Sequence, residues 1–266
     1  MKEDGIAMPK FRGTSLSFAA RFIAKTIRPH RAPYWAASAA ALALVLALSF
    51  MLLATGGLLR LLGMPNLDFL MDSRVIARDP DVQNWMEAIV RVEADGSGGT
   101  GFNLDPSGVI VTNEHITEGA NTVQVGFRSD GARHTLSDWF SEPESDLSIL
   151  SLEGMDNLPS LELERERVPV PGDPVLIIGN PLGFFRVANR ATVLGFVRTT
   201  GMAEPVLMLD GPVYRGNSGS PVLNADGRVI GVVFAATEHP ETGRTVALAI
   251  AAPVVAFLVD PILGER

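Results

Sequence analysis

Over most of its length this sequence predicts an all-β chain folded as a barrel or sandwich. Short β-branched runs recur at Ala88–Val92, Val109–Thr112, Thr122–Val125, Val175–Ile178, Ala191–Val197 and Val229–Phe234. Clusters of Gly, Pro, Asp or Asn separate them, the spacing of strands joined by turns. Glycine (26 residues) and proline (18) are frequent enough to supply those turns without reaching low-complexity levels. No repeat of solenoid length is visible, and 266 residues hold one to two domains.

The N-terminus is of another kind. Residues 1–34 form a basic segment. Its first 31 residues hold seven basic groups against two acidic ones, a net +5 that leaves −13 for the rest of a chain whose total is −8. From Trp35 to Ala54 about 20 uncharged residues follow, rich in Ala and Leu and long enough to span a bilayer as a helix. The excess of Lys and Arg before it puts the N-terminus in the cytoplasm and the remainder across the membrane. A cleaved signal peptide is the rival reading, with Ala54-Thr55-Gly56 as a weak cleavage site. Residues 15–31 fit either a basic helix lying on an anionic leaflet or a mitochondrial presequence. Leu58 to Met71 is again apolar, interrupted by Arg60 and Asp68, and fits either a second interfacial helix or one docked on the folded domain. The expected organisation is a span at 35–54, a linker at 55–81 and a folded domain at 82–266. That domain divides at Val168–Pro174, a Pro-rich connection between halves at about 82–165 and 170–250. After a strand at Thr245–Ile250, residues Ala251–Leu263 read as a terminal helix with Val254, Val255, Phe257, Leu258 and Ile262 on its apolar side.

Chemistry concentrates in three segments. Gly216-Asn217-Ser218-Gly219-Ser220-Pro221 places a serine on a tight turn between glycines that tolerate positive φ. Such a turn can aim its own N–H groups at one point, as an oxyanion hole requires. Val109-Ile110-Val111-Thr112-Asn113-Glu114-His115 runs from β-branched residues into a short polar turn that presents His115 at a strand end. The other histidines, His30, His134 and His239, lie in basic or turn-rich surroundings. In Ser145-Asp146-Leu147-Ser148-Ile149-Leu150 an aspartate opens an alternating apolar strand, unlike nearby Asp130 and Asp138.

Together these segments resemble the trypsin-like serine peptidases, most closely the bacterial high-temperature-requirement (HtrA/Deg-like) branch. The order His115, Asp146, Ser218 is the order of that fold, with gaps of 31 and 72 residues. Gly96–Phe102 looks like the glycine-rich opening strand of the family, Val175–Gly183 like its second-barrel strand and turn, and Gly227–Val233 like the strand after the nucleophile. The resemblance covers about residues 82–258. It implies two six-stranded antiparallel β-barrels with a C-terminal helix, and a serine endopeptidase acting by acyl transfer. Ser218 would be the nucleophile, His115 the base, Asp146 its orienter, and the backbone N–H groups of Gly216 and Ser218 the oxyanion hole. Pro212, Val213, Phe234, Ala235 and Ala236 would line the primary pocket. None is charged, so a small or medium apolar side chain is expected before the scissile bond.

Two positions depart from the family pattern. Glu114 stands where a small residue is usual, and either raises the histidine's pKa or faces solvent. Ser220 stands where a second glycine is usual; were positive φ required there, serine would cost about 1 kcal/mol or more and shift the oxyanion loop. A non-catalytic peptide-binding or stress-sensing module is therefore the alternative function. A lipase or esterase fits poorly, because the serine lacks the strand-to-helix setting of Gly-x-Ser-x-Gly.

With no cysteine, a disulfide scaffold and a thiolate nucleophile are excluded, and without His-x-x-x-His spacing a zinc site is not expected. No metal or cofactor is implied. The expected partners are protein or peptide substrates and a membrane reached through the N-terminal helix, with no nucleic acid; a homo-oligomer is an option by analogy with trimers in the family. The implied location is a bacterial inner membrane, single pass, with the peptidase in the periplasm. Secretion after signal cleavage and the mitochondrial inner membrane are the alternatives. With Arg266 the last residue of the sequence, the PDZ domain that many members of the resembling family carry is not expected.

Overall fold

The computed structural model describes residues 38–39, 41–51, 68–128 and 131–264. The chain divides into two units, Met1–Pro65 and Asn66–Arg266. In the first, residues 41–51 are helical, and Leu42, Leu44, Leu46, Leu48 and Phe50 are exposed. Among the described residues no helix is long and apolar enough to cross a membrane. The expected span from Trp35 to Ala54 lies partly outside those residues. The basic segment 1–34 and the linker up to residue 67 lie wholly outside them.

The second unit opens with two helices. Helix α1 (Asp68–Ile76) packs on the second half of the domain, where its Ser73 Oγ accepts from the Ala188 N–H at 2.9 Å. That part of the apolar stretch 58–71 therefore docks on the folded domain. Helix α2 (Pro80–Glu87) starts at Asp79, whose carboxylate caps the Asp81 N–H at 2.9 Å, and has Pro at its first position, where no N–H is needed.

The first sheet contains β1 (Ile89–Ala94), β2 (Ser97–Asn103), β3 (Val109–Thr112), β4 (Val123–Gly126), β5 (Arg133–Leu136), β6 (Phe140–Glu142) and β7 (Leu147–Ser151). A short helix α3 (Glu114–Thr117) follows β3. The strand order is β5-β4-β1-β2-β3-β7-β6. The second half contains β8 (Pro174–Gly179), β9 (Val187–Val197), β10 (Val206–Asp210), β11 (Pro221–Leu223), β12 (Val229–Glu238) and β13 (Thr245–Ala251), followed by helix α4 (Ala252–Gly264). These strands form a closed six-stranded barrel in the order β10-β13-β12-β11-β8-β9. All the pairings between these strands are antiparallel, and an isolated parallel bridge joins Leu163 to Val229.

The expectation of two closed barrels thus holds for the second half only; the first is an open, seven-stranded half-barrel. Closure would require β5 to pair with β6. These strands have only four and three residues, and no ladder joins them across the intervening Ser137-Asp138-Trp139.

The core explains why β3 is apolar along most of its length and why β1 and β7 each place buried apolar residues on both faces. Val90, Val92, Ile110 and Leu150 pack inside the first sheet. Ile89, Val109, Val111, Leu147 and Ile149 point the other way, into a cluster shared with Ile178, Leu223, Val232, Ile250 and, from α4, Val255 and Val259. A strand covered on both sides loses the apolar–polar alternation of a half-buried one. The two halves and the terminal helix therefore share one buried interface, along which the functional segments meet.

Candidate active site

His115 and Asp146 are brought together by strand register. Strands β3 and β7 pair with Thr112 opposite Ser148, so the residues just after β3 lie beside those just before β7. Asn113, fully buried, precedes α3 and donates from Nδ2 to the Asp146 carbonyl at 2.9 Å. Asp146 ends a 3-10 turn (Pro143–Ser145) in the left-handed region, φ 49° and ψ 46°. Aspartate tolerates that region better than most residues. There its carboxylate accepts from the His115 backbone N–H at 3.0 Å and lies 2.9 and 3.0 Å from His115 Nδ1. A carboxylate accepts only, so Nδ1 carries the proton and Nε2 is left as an acceptor.

The hydrogen bond to Asp146 raises the His115 pKa above its ordinary 6.5. Burial opposes this, while the charges of Asp146, Glu114 and Glu118 add to it. The imidazole side is 43% exposed and the carboxylate 16%, so one partner faces solvent and the other is largely covered. Glu114 is half-buried. Burial raises its pKa first; the charges of Glu118 and Asp146 add to the rise, and His115 opposes it.

The serine turn is held by partners from both halves. Gly216 (φ +96°) and Gly219 (φ +80°) occupy conformations that disfavour any side chain. A Cβ on Gly219 would also overlap the Thr100 carbonyl. Thr100 of β2 is fully buried. Its N–H donates to the Ser218 carbonyl at 2.9 Å, and its Oγ1 donates to the Gly216 carbonyl at 2.7 Å. The same Oγ1 accepts from the Asn180 N–H at 2.9 Å, and Thr112 Oγ1 donates to the Thr100 carbonyl at 2.7 Å. Asn180 Nδ2 in turn donates to the Val90 carbonyl at 2.8 Å. Among the described residues, the N–H groups of Gly216 and Ser218 have no acceptor in the protein and Ser218 Oγ makes no hydrogen bond. The serine turn and the histidine helix converge on Gly99. A Cβ there would lie 2.9 Å from the Ser218 carbonyl and 2.5 Å from Cδ1 of Ile116, the neighbour of His115.

Ser220 does not adopt positive φ, so the strain weighed from the sequence is absent. Its side chain instead occupies the place that a Cβ on Gly179 of β8 would take. Gly179 is thus the reason a serine fits. Ser220 Oγ and both amide atoms of Asn217 are buried without a partner among the described residues.

The expected pocket residues differ in burial and packing. Val213 is half-buried against the barrel core, whereas Phe234 packs on the interface cluster. Phe234 sits at a bulge between Val233 and Ala235, Ala235 is half-buried, and Pro212 and Ala236 are exposed. Sequence reading passed over Thr100, Asn180, Asn113 and Gly179. The one signal available for Thr100 was a hydroxyl residue amid the glycines of 96–101. The partners of its hydroxyl lie 80 and 116 positions away. Among the described residues no group of three or more His, Cys, Asp or Glu could hold a metal ion.

The family model of the trypsin-like peptidase domain matches residues 99–232, half of the chain. The chain belongs to the trypsin-like peptidase family. Relatives of this peptidase domain include a probable periplasmic serine endoprotease, DegP-like, from Marinomonas sp. (strain MWYL1). It is 29% identical over 173 residues, which are 63% of this chain and 36% of that protein. The putative serine protease HhoB from Synechocystis sp. is 34% identical over 144 residues, 50% of this chain and 33% of that protein. Among solved structures, the active form of the Rv3671c protease from M. tuberculosis superposes with a TM-score of 0.60 at 25% identity. The match covers 70% of this chain and 85% of that one. The matched region is about a third of the length of these curated relatives.

Proposed function

We propose that this peptidase domain is a serine endopeptidase that cleaves peptide bonds of envelope proteins through an acyl-enzyme. The observation that carries the reading is the closed His115–Asp146 pair, 2.9 Å between ring nitrogen and carboxylate. Ser218 Oγ attacks the scissile carbonyl and His115 Nε2 takes its proton. Asp146 holds the ring in the required tautomer and stabilises the imidazolium. The N–H groups of Gly216 and Ser218, free of acceptors among the described residues, receive the oxyanion. His115 returns the proton to the leaving amine, and water repeats the sequence to release the acid.

The exposed apolar helix at 41–51, within an uncharged run of about 20 residues, supports anchoring in a bacterial inner membrane with the peptidase in the periplasm. Relatives named as periplasmic endoproteases support the same location. The alternative, a peptide-binding module with an idle site, draws on the missing hydrogen bond between Ser218 and His115. Such bonds are often long before substrate binds, which weighs against it.

A fluorophosphonate probe on the purified full chain, beside Ser218→Ala, separates the two. Labelling of the wild type alone supports the peptidase. A folded wild-type protein that takes no label sinks the catalytic reading and favours the binding module.

A further inference from the structure

A cavity of about 280 Å³ opens directly beside Gly216, on the side facing the first sheet. Arg91, Glu93, Gly99, Leu182 and Arg215 are among its walls. Two guanidinium groups and one carboxylate face it, and the carboxylate is already engaged: Glu93 pairs with Arg133 at 2.7 Å and lies 3.8 Å from Arg91. Arg91 is fixed, donating from Nη2 to the Gly183 carbonyl at 2.6 Å with its guanidinium 5.6 Å from the centre of the Phe185 ring. Arg215 is exposed, and its side chain has no hydrogen bond or ion pair among the described residues. Its backbone is held, because its carbonyl accepts from the Leu182 N–H at 2.7 Å. A net cationic cavity in a chain of net charge −8 is not a consequence of overall charge.

The cavity adjoins Gly216 and the β1 and β2 residues Arg91, Glu93 and Gly99. His115 lies on the short helix of the first half, while Pro212, Val213 and residues 234–236 belong to the second half. With the acyl side of a peptide placed along β12, its amine side would run past Gly216 toward β1 and β2, where this cavity opens. We propose that the cavity binds an acidic side chain among the first two or three residues after the scissile bond, and that Arg215 is the residue that selects it. This rests on the reading above in which Ser218 is the nucleophile. Arg215 has all its donors free to form a forked pair with a carboxylate, whereas Arg91 spends one on the loop that shapes the wall. The acyl side, lined by uncharged groups, has no such preference.

The experiment uses the full-length enzyme and paired peptides identical except for Asp or Asn at each of the first three positions after the cut. Fluorophosphonate labelling of Ser218 is measured in parallel. An exposed ion pair contributes up to about 1 kcal/mol, so kcat/KM for the Asp peptide should exceed that for Asn by about fivefold at one of these positions. That ratio should shrink toward one at about 1 M salt. Arg215→Gln should abolish the ratio, and Arg215→Glu should turn it toward Lys; being a ratio within one enzyme, it is unaffected by any general loss of rate. A labelled, cleaving enzyme with no Asp preference, or one whose preference survives Arg215→Gln, overturns the assignment and leaves the peptidase reading standing. A folded wild type that neither labels nor cleaves overturns both.

Discussion

Replacing Thr100 with valine removes one oxygen and tests how the serine turn is held. That hydroxyl donates to the Gly216 carbonyl at 2.7 Å and accepts from the Asn180 N–H at 2.9 Å. Valine keeps the shape and leaves both backbone groups without a partner. Asn180 is almost fully buried, so its N–H loses about 2 kcal/mol. Gly216 is half-buried and can recover water, so its carbonyl loses about 1 kcal/mol. The total of about 3 kcal/mol should lower Tm by about 6–12 °C in a domain of this size. A second effect should exceed the first in consequence. The Gly216 carbonyl anchors the turn whose N–H groups are proposed to receive the oxyanion, and loss of a single donor in such a site costs about 10²–10³ in rate. Loosening the anchor should therefore slow fluorophosphonate labelling of Ser218 at least about tenfold under conditions where the variant remains folded. Thr100→Ser keeps the hydroxyl and should restore most of both. Thermal unfolding and labelling rates of the three proteins decide the matter. Wild-type Tm and labelling in Thr100→Val, or a serine variant as impaired as valine, would refute the reasoning.

Further outcomes follow from the histidine pair and from the glycine turns. The base must be neutral to accept a proton, and Asp146 raises the His115 pKa, so the acidic limb of the labelling-rate profile should have its midpoint above 6.5. In Asp146→Asn that midpoint should move down and the rate should fall by roughly 10⁴, as the same change does in a known Ser-His-Asp peptidase. The stability contributed by the pair should be complete below pH 6.5 and vanish as pH rises through the raised folded-state value; titrations of wild type and variant by chemical denaturation check this. Gly219→Ala should cost at least about 3 kcal/mol, because positive φ and overlap with Thr100 combine. Gly243→Ala, also at positive φ but with open space around it, should cost only about 1 kcal/mol in the same melts.

Much of the site was legible because its signals are local. A serine between glycines, an aspartate opening an apolar strand and a histidine ending one are each set by turn chemistry and the two-residue period of a strand. The strands β1, β3, β8, β12 and β13 could be placed for the same reason, to within a few residues. What surrounds those residues could not be read in the same way. That Ser220 is unstrained depends on a glycine 41 positions earlier in another strand, and that the first sheet stays open depends on two short strands failing to meet. The sequence by itself determined the all-β class, the three chemical segments and their order, since backbone dihedrals and periodicity are properties of neighbours in the chain. Only the tertiary structure decided that His115 and Asp146 touch, that Thr100 holds the serine turn, and that two arginines share a cavity beside Gly216. Those contacts join residues tens to more than a hundred positions apart, and their partners are chosen by strand register and packing, which no local pattern encodes.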